Sequence, residues 1–85
     1  MYIILVYDLK DNQQKVNKLC KKYLNWVQNS VFEGEITESK YKELKKKLDD
    51  LILEGDSILI YTIQDKTKMV KEKMGKEKNK LSAFI

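Results

Sequence analysis

The chain has 85 residues, 42% apolar and 35% charged, a balance that folds and a length that holds one domain. All 17 basic residues are lysines, set against 13 acids for a net charge of +4, and the chain has no His, no Arg, no Pro and a single cysteine, Cys20. These absences exclude a zinc finger, a C-x-x-C redox site and any His-containing dyad or triad, and without Arg there is no bidentate fork for carboxylate or guanine. A domain this short buries only about 60–65% of the surface its unfolded chain exposes, so association with another chain is expected. A lone thiol forms no internal disulfide and suits a reducing compartment. The moderate basic excess permits a phosphate-bearing partner without requiring one.

The first residues, Met1 to Tyr7, are apolar but stop at Asp8. They have no basic n-region and fall short of the about 20 residues of a membrane helix. We read them as a strand, and the protein as cytoplasmic with no membrane partner. Tyr2 to Tyr7 is an unbroken β-branched and aromatic run, the mark of a strand covered on both faces. Asp11 and Gln14 stand at capping-box spacing. Val16, Leu19, Cys20, Tyr23 and Leu24 then form one helical stripe, with Asn25 as the expected helix end. Residues 26–36 are extended in character, and Asn29-Ser30 is compatible with either a two-residue turn or a kink in one strand. Thr37 is placed to cap a second helix, with Glu38 favourable in its first turn. Tyr41, Leu44, Leu48, Leu51 and Ile52 are its buried stripe. Gly55-Asp56 reads as a turn and Ser57 to Ile63 as another uninterrupted strand.

The order β-α-β-(β)-α-β predicts an α+β, ferredoxin-like sandwich: an antiparallel sheet with two helices on one face. Residues 1–63 are the expected core. Residues 64–85 are a Lys-rich stretch, either a mobile loop or a short helix around Lys68 to Lys73, ending in an apolar stretch, Leu81 to Ile85, suited to adding a strand to a partner's sheet. The first and last core strands carry apolar residues on both faces: Ile3, Leu5 and Tyr7 oppose Tyr2, Ile4 and Val6, while Ile58 and Ile60 oppose Leu59, Tyr61 and Ile63. No third amphipathic helix is available to cover the second face. Sheet-on-sheet dimerisation is the economical solution.

Asp8 is the sharpest single residue. It ends a buried strand, where a two-fold axis could pair it with its own copy and hold Mg²⁺. The plainer account is an Asx turn or a helix start, although Asp11 is the better-placed cap. Lys15, Lys18 and Lys22, with Lys21 beside them, share a helix face that could track phosphates or simply be solvated. Lys40, Lys42 and Lys45-Lys46-Lys47 decorate the second helix in the same way. Cys20 falls in the apolar stripe and reads as a packed thiol, and Trp26 as core or interface. No aromatic-rich RNA-recognition strand is present.

Tyr7-Asp8, then Lys18-Leu19-Cys20-Lys21-Lys22-Tyr23, and above all Val27-Gln28-Asn29-Ser30-Val31-Phe32-Glu33-Gly34-Glu35 resemble the CRISPR-associated Cas-two family over the whole chain. The resemblance implies a homodimer of facing sheets with an exchanged C-terminal strand. Its acidic residue falls on Asp8, with one Mg²⁺ between the two copies. Tyr7, Ser30 and Phe32 are implied beside the cleft, although strand packing equally accounts for Phe32. The family's activity is metal-dependent endonuclease cleavage of single-stranded RNA or double-stranded DNA, by attack of water on a phosphodiester. Members also bridge two dimers of the Cas-one integrase on spacer DNA during CRISPR spacer acquisition. Basic residues early in the family's first helix often contact phosphate; here Asn12-Gln13-Gln14 are neutral and the first cation is Lys15, which favours DNA bridging over efficient cleavage. The rival function on this topology is a stand-alone ribonuclease toxin, which genomic neighbours would distinguish.

Overall fold

The computed structural model describes residues 1–72, 74 and 75. Its centre is β1 (Tyr2–Asp8), followed by α1 (Gln13–Lys21), β2 (Asn25–Gln28), β3 (Val31–Glu35), α2 (Glu38–Asp49) and β4 (Ser57–Ile63). The strands form one sheet in the order β2-β3-β1-β4, and β1 is antiparallel to both neighbours, with Leu5 opposite Phe32 on one side and Ile60 on the other. This is the ferredoxin-like arrangement.

Alternation along β1 sorts the sheet into two faces. Ile3, Leu5 and Tyr7 are buried, whereas Tyr2, Ile4 and Val6 are half-covered and Asp8 is exposed. The buried face receives the helices: Val16 and Cys20 of α1 and Leu44 and Leu48 of α2 join Ile3, Leu5 and Phe32 in one core. Phe32 is fully enclosed and its ring stacks on Tyr7 at 6.3 Å between centroids and 25° between planes. Phe32→Ala should therefore lower stability by about 3–5 kcal/mol, a large part of the ~5–15 kcal/mol that holds a domain. Urea denaturation checks it. A change below 1 kcal/mol would mean the cavity closes freely.

The opposite face is open. Leu59 and Tyr61 of β4 are 53% and 57% exposed, in register with Val6 and Ile4. The chain after β4 crosses part of this face. Asp65 accepts hydrogen bonds from the backbone N–H and the hydroxyl of Thr67, setting a short 3-10 turn over Lys66–Lys68. Lys66 then pairs with Glu35 at 3.3 Å and sits over the Tyr2 ring, while Lys71 pairs with Glu33. Of the two alternatives for Lys68 to Lys73, a loop or a short helix, the described residues past Lys68 show no helix. The strand expected at Leu81 to Ile85 lies outside them.

Two local expectations need correction. The start of α1 is not capped by Asp11 and Gln14. Asn12 occupies the cap position with φ 58° and no side-chain capping bond; its amide donates instead to the Leu51 carbonyl at 2.8 Å. Asn tolerates this left-handed geometry better than most residues. The helix also ends at Lys21 rather than Asn25, because the Tyr23 and Leu24 N–H groups both turn back to the Cys20 carbonyl, burying Leu24 and releasing Asn25 into β2.

Elsewhere the alternatives resolve simply. Asn29-Ser30 is a turn, with Asn29 at φ 45°, and β2 and β3 form a hairpin with a register shift between Trp26 and Gln28. The Thr37 hydroxyl caps α2, accepting from the Lys40 N–H at 3.1 Å. Gly55, at φ 89°, supplies the turn before β4, where a side chain would strain the backbone and push aside the Lys10 ammonium.

Candidate nucleic-acid and metal site

Asp8 is the last residue of β1, and the alternation that buries Tyr7 places it on the open face with Tyr2, Ile4 and Val6. Its backbone pairs with Ser57 at the start of β4. Beside it lies a shallow depression of about 390 Å³ lined by Tyr7, Asp8, Leu9, Gln13, Asn29 and Ser30. Ser30 reaches this place because the β2–β3 turn folds over the end of β1, where its carbonyl accepts from the Tyr7 N–H at 3.1 Å. Phe32 does not line it. Its ring stays in the core beneath Tyr7 and acts on the depression only by packing.

Tyr7 is shared with a second depression of about 330 Å³, whose other walls are Gln13, Gln14, Asn17, Lys18 and Lys21. The Asn17 amide donates to the Tyr7 hydroxyl at 3.4 Å. Lys18 and Lys21 thus line a depression that adjoins the one beside Asp8 through Tyr7 and Gln13. Lys15 is exposed on α1 but lines neither depression, and Lys22 faces away, beside Tyr23, Glu35, Thr37, Lys40 and Glu43. At that far end the Tyr23 hydroxyl donates to Glu43 at 2.5 Å and Lys47 donates to Tyr23 at 3.0 Å. The Tyr23 bond, reinforced by Lys40 and Lys47, holds the Glu43 carboxyl below its ordinary range.

The loop after Asp8 is tied down by residues distant in sequence. Asp56 accepts from the Lys10 N–H at 3.0 Å and from the Leu53 N–H at 2.8 Å. These two backbone bonds, with the Lys10 charge nearby, hold its carboxyl below the usual range. Gln13 closes the loop by donating to the Leu9 carbonyl at 2.8 Å. No pattern in the sequence marks Gln13, Asn29 or Asp56 as a site residue, and Lys21 stands there only beside Lys15, Lys18 and Lys22. The only sequence signal for Asp56 was its place in a Gly-Asp turn directly before the strand that pairs with Asp8.

Among the described residues there is no cluster of three or more His, Cys, Asp or Glu side chains. Mg²⁺ does not need one. It keeps most of its waters and takes one or two carboxylates, so an exposed Asp8 from each of two copies is a donor set that fits. Cys20 is not an alternative nucleophile: burial pushes its thiol up to about 12, where no reactive thiolate forms at neutral pH. Among the described residues no helix is long and apolar enough to cross a membrane.

Comparison with known proteins finds relatives along the whole chain. Residues 1–70 match the family model of CRISPR associated protein Cas2. The CRISPR-associated endoribonuclease Cas2 of Dictyoglomus turgidum is 45% identical, covering 100% of both chains, and that of Pyrococcus furiosus is 41% identical with the same coverage. A crystal structure of cas2 superposes with a TM-score of 0.84 at 40% identity, covering 100% of this chain and 98% of that one. Streptococcus pyogenes Cas2 at pH 6.5 gives 0.76 at 32% identity, over 88% of this chain and 100% of that one. With its motifs, topology and full-length relatives in agreement, the chain belongs to the CRISPR-associated Cas2 family.

Proposed function

We propose that the protein works in the cytoplasm as a homodimer that bridges two Cas-one integrase dimers on spacer DNA, and that Asp8 gives it a Mg²⁺-dependent endonuclease activity. The observation that carries this reading is the position of Asp8: an exposed carboxylate on the same open, apolar face that a second copy would cover. Facing sheets would bring the two Asp8 residues toward one cleft. The relatives' name, endoribonuclease, supports phosphodiester cleavage of RNA; the substrates proposed are single-stranded RNA and double-stranded DNA.

Asp8 and its copy would hold the cation, which when bound neutralises charge building on the phosphate. Lys18 and Lys21 draw the backbone phosphates toward Tyr7. Ser30, Asn29 and Gln13 line the depression beside Asp8 and offer its polar groups. With no histidine in the chain, carboxylate is the general base at hand.

The test combines sedimentation at micromolar concentration, co-elution with a Cas-one integrase and a spacer-length duplex, and cleavage of RNA and duplex DNA with and without Mg²⁺. A dimer that joins the integrase–duplex complex is the expected result. A folded monomer would remove the bridging role, and cleavage insensitive to chelation would remove the metal.

A further inference from the structure

We propose that Asp56 is a positioning residue for Asp8, a role that rests on the reading of Asp8 given above. Asp8 is the last residue in register on β1, and beyond it the backbone has no sheet partner to hold its direction. Asp56 supplies that hold. One carboxylate oxygen takes the N–H of Lys10, two residues past Asp8, and the other takes the N–H of Leu53, across the turn that precedes β4. The same two loops are joined again by Asn12, donating to the Leu51 carbonyl, and by the Lys10 side chain lying over Gly55. Asp56 also directly precedes Ser57, the β4 residue paired with Asp8. One carboxylate therefore ties the backbone just past Asp8 to the turn that leads into its paired strand.

An exposed carboxylate needs this support. Among the described residues neither buried packing nor an ion pair sets the direction of Asp8, which leaves the backbone on either side to do so. Groups that orient a ligand without touching the metal typically change metal affinity or activity by about 10–100-fold when removed. Charge-assisted bonds from a carboxylate to backbone N–H groups are among the stronger hydrogen bonds available, and two of them on a single side chain make a firm clamp.

Asp56→Ala removes both bonds, whereas Asp56→Asn keeps one acceptor oxygen and loses the same charge. The experiment uses the full-length protein, with Mn²⁺ as the probe: titration is followed by paramagnetic broadening of the Leu9 and Lys10 amides, and cleavage is measured alongside. The expected order is wild type, then Asp56→Asn, then Asp56→Ala, with the last binding Mn²⁺ about tenfold more weakly. The turnover number should fall in step while KM and duplex affinity in chelator stay unchanged. Equal losses in both variants would assign the effect to charge and overturn the positioning role. Wild-type Mn²⁺ affinity and turnover in Asp56→Ala would overturn it as well. A wild-type protein that shows neither Mn²⁺ broadening near Asp8 nor cleavage would instead fell the reading of Asp8, and the clamp's function with it.

Discussion

Leu59→Asp should turn a dimer into a monomer without unfolding it. Leu59 is 53% exposed and lies opposite Val6 on the open face, so its removal takes little from the core. If a second copy covers that face, each protomer would bring an unpaired carboxylate into the contact. Leaving a charge buried without a partner costs about 3–5 kcal/mol, and every 1.4 kcal/mol or so is tenfold in dissociation constant. A weakening of at least about 100-fold is therefore expected. Sedimentation equilibrium and far-UV circular dichroism together decide it. An unchanged dimer would place the interface elsewhere, and an unfolded monomer would contradict the exposure of Leu59.

Asp8→Asn should abolish Mg²⁺-dependent cleavage while duplex binding in chelator stays level or improves. The amide keeps the size of the side chain but loses the charge that holds a hard cation, whereas attraction to phosphate comes from lysines that Asp8 opposes. Fold should be unaffected, since Asp8 is exposed and its pairing with Ser57 is through backbone. Replacing Lys18 and Lys21 together should do the reverse: weaker binding and a salt dependence flatter by about one to two ions, with the metal response retained. Cleavage persisting in Asp8→Asn would remove the metal assignment. Spacer integration lost in Asp8→Asn, with dimer and DNA binding intact, would show that bridging is not the main role.

What could be read from the residues depended on how local the cause was. The strand at Tyr2 to Tyr7, the Thr37 cap and the Gly55 turn follow from neighbours in sequence, and the structure has them. The start of α1 does not. Its determinant is a bond from Asn12 to Leu51, invisible to any short window, and the local box of Asp11 and Gln14 lost to it. The Asn29-Ser30 turn lacks the glycine that marks most two-residue hairpins, so only the left-handed Asn29 reveals it. The place of Asp8 at the exposed end of β1 was legible because a carboxylate ending an apolar strand stands out. Asp56 was not, since its partner Lys10 is 46 positions away. Spacing put Lys15, Lys18 and Lys22 on one helix, but only the packing of α1 beside Tyr7 decides which cations share its depression.

The enclosed thiol gives the molecule a built-in clock. Cys20 has 0% of its surface accessible and its thiol is pushed up to about 12, so an alkylating reagent meets neither an open path nor a thiolate while the core is closed. It is also the chain's only cysteine, so each molecule can take up one mass tag and no more. Tagging then counts opening events of the α1–sheet core one by one, and its rate at saturating reagent is the opening rate itself. Any partner that closes over the sheet's open face will slow that clock from the opposite side of the sheet, without touching the residue that keeps time.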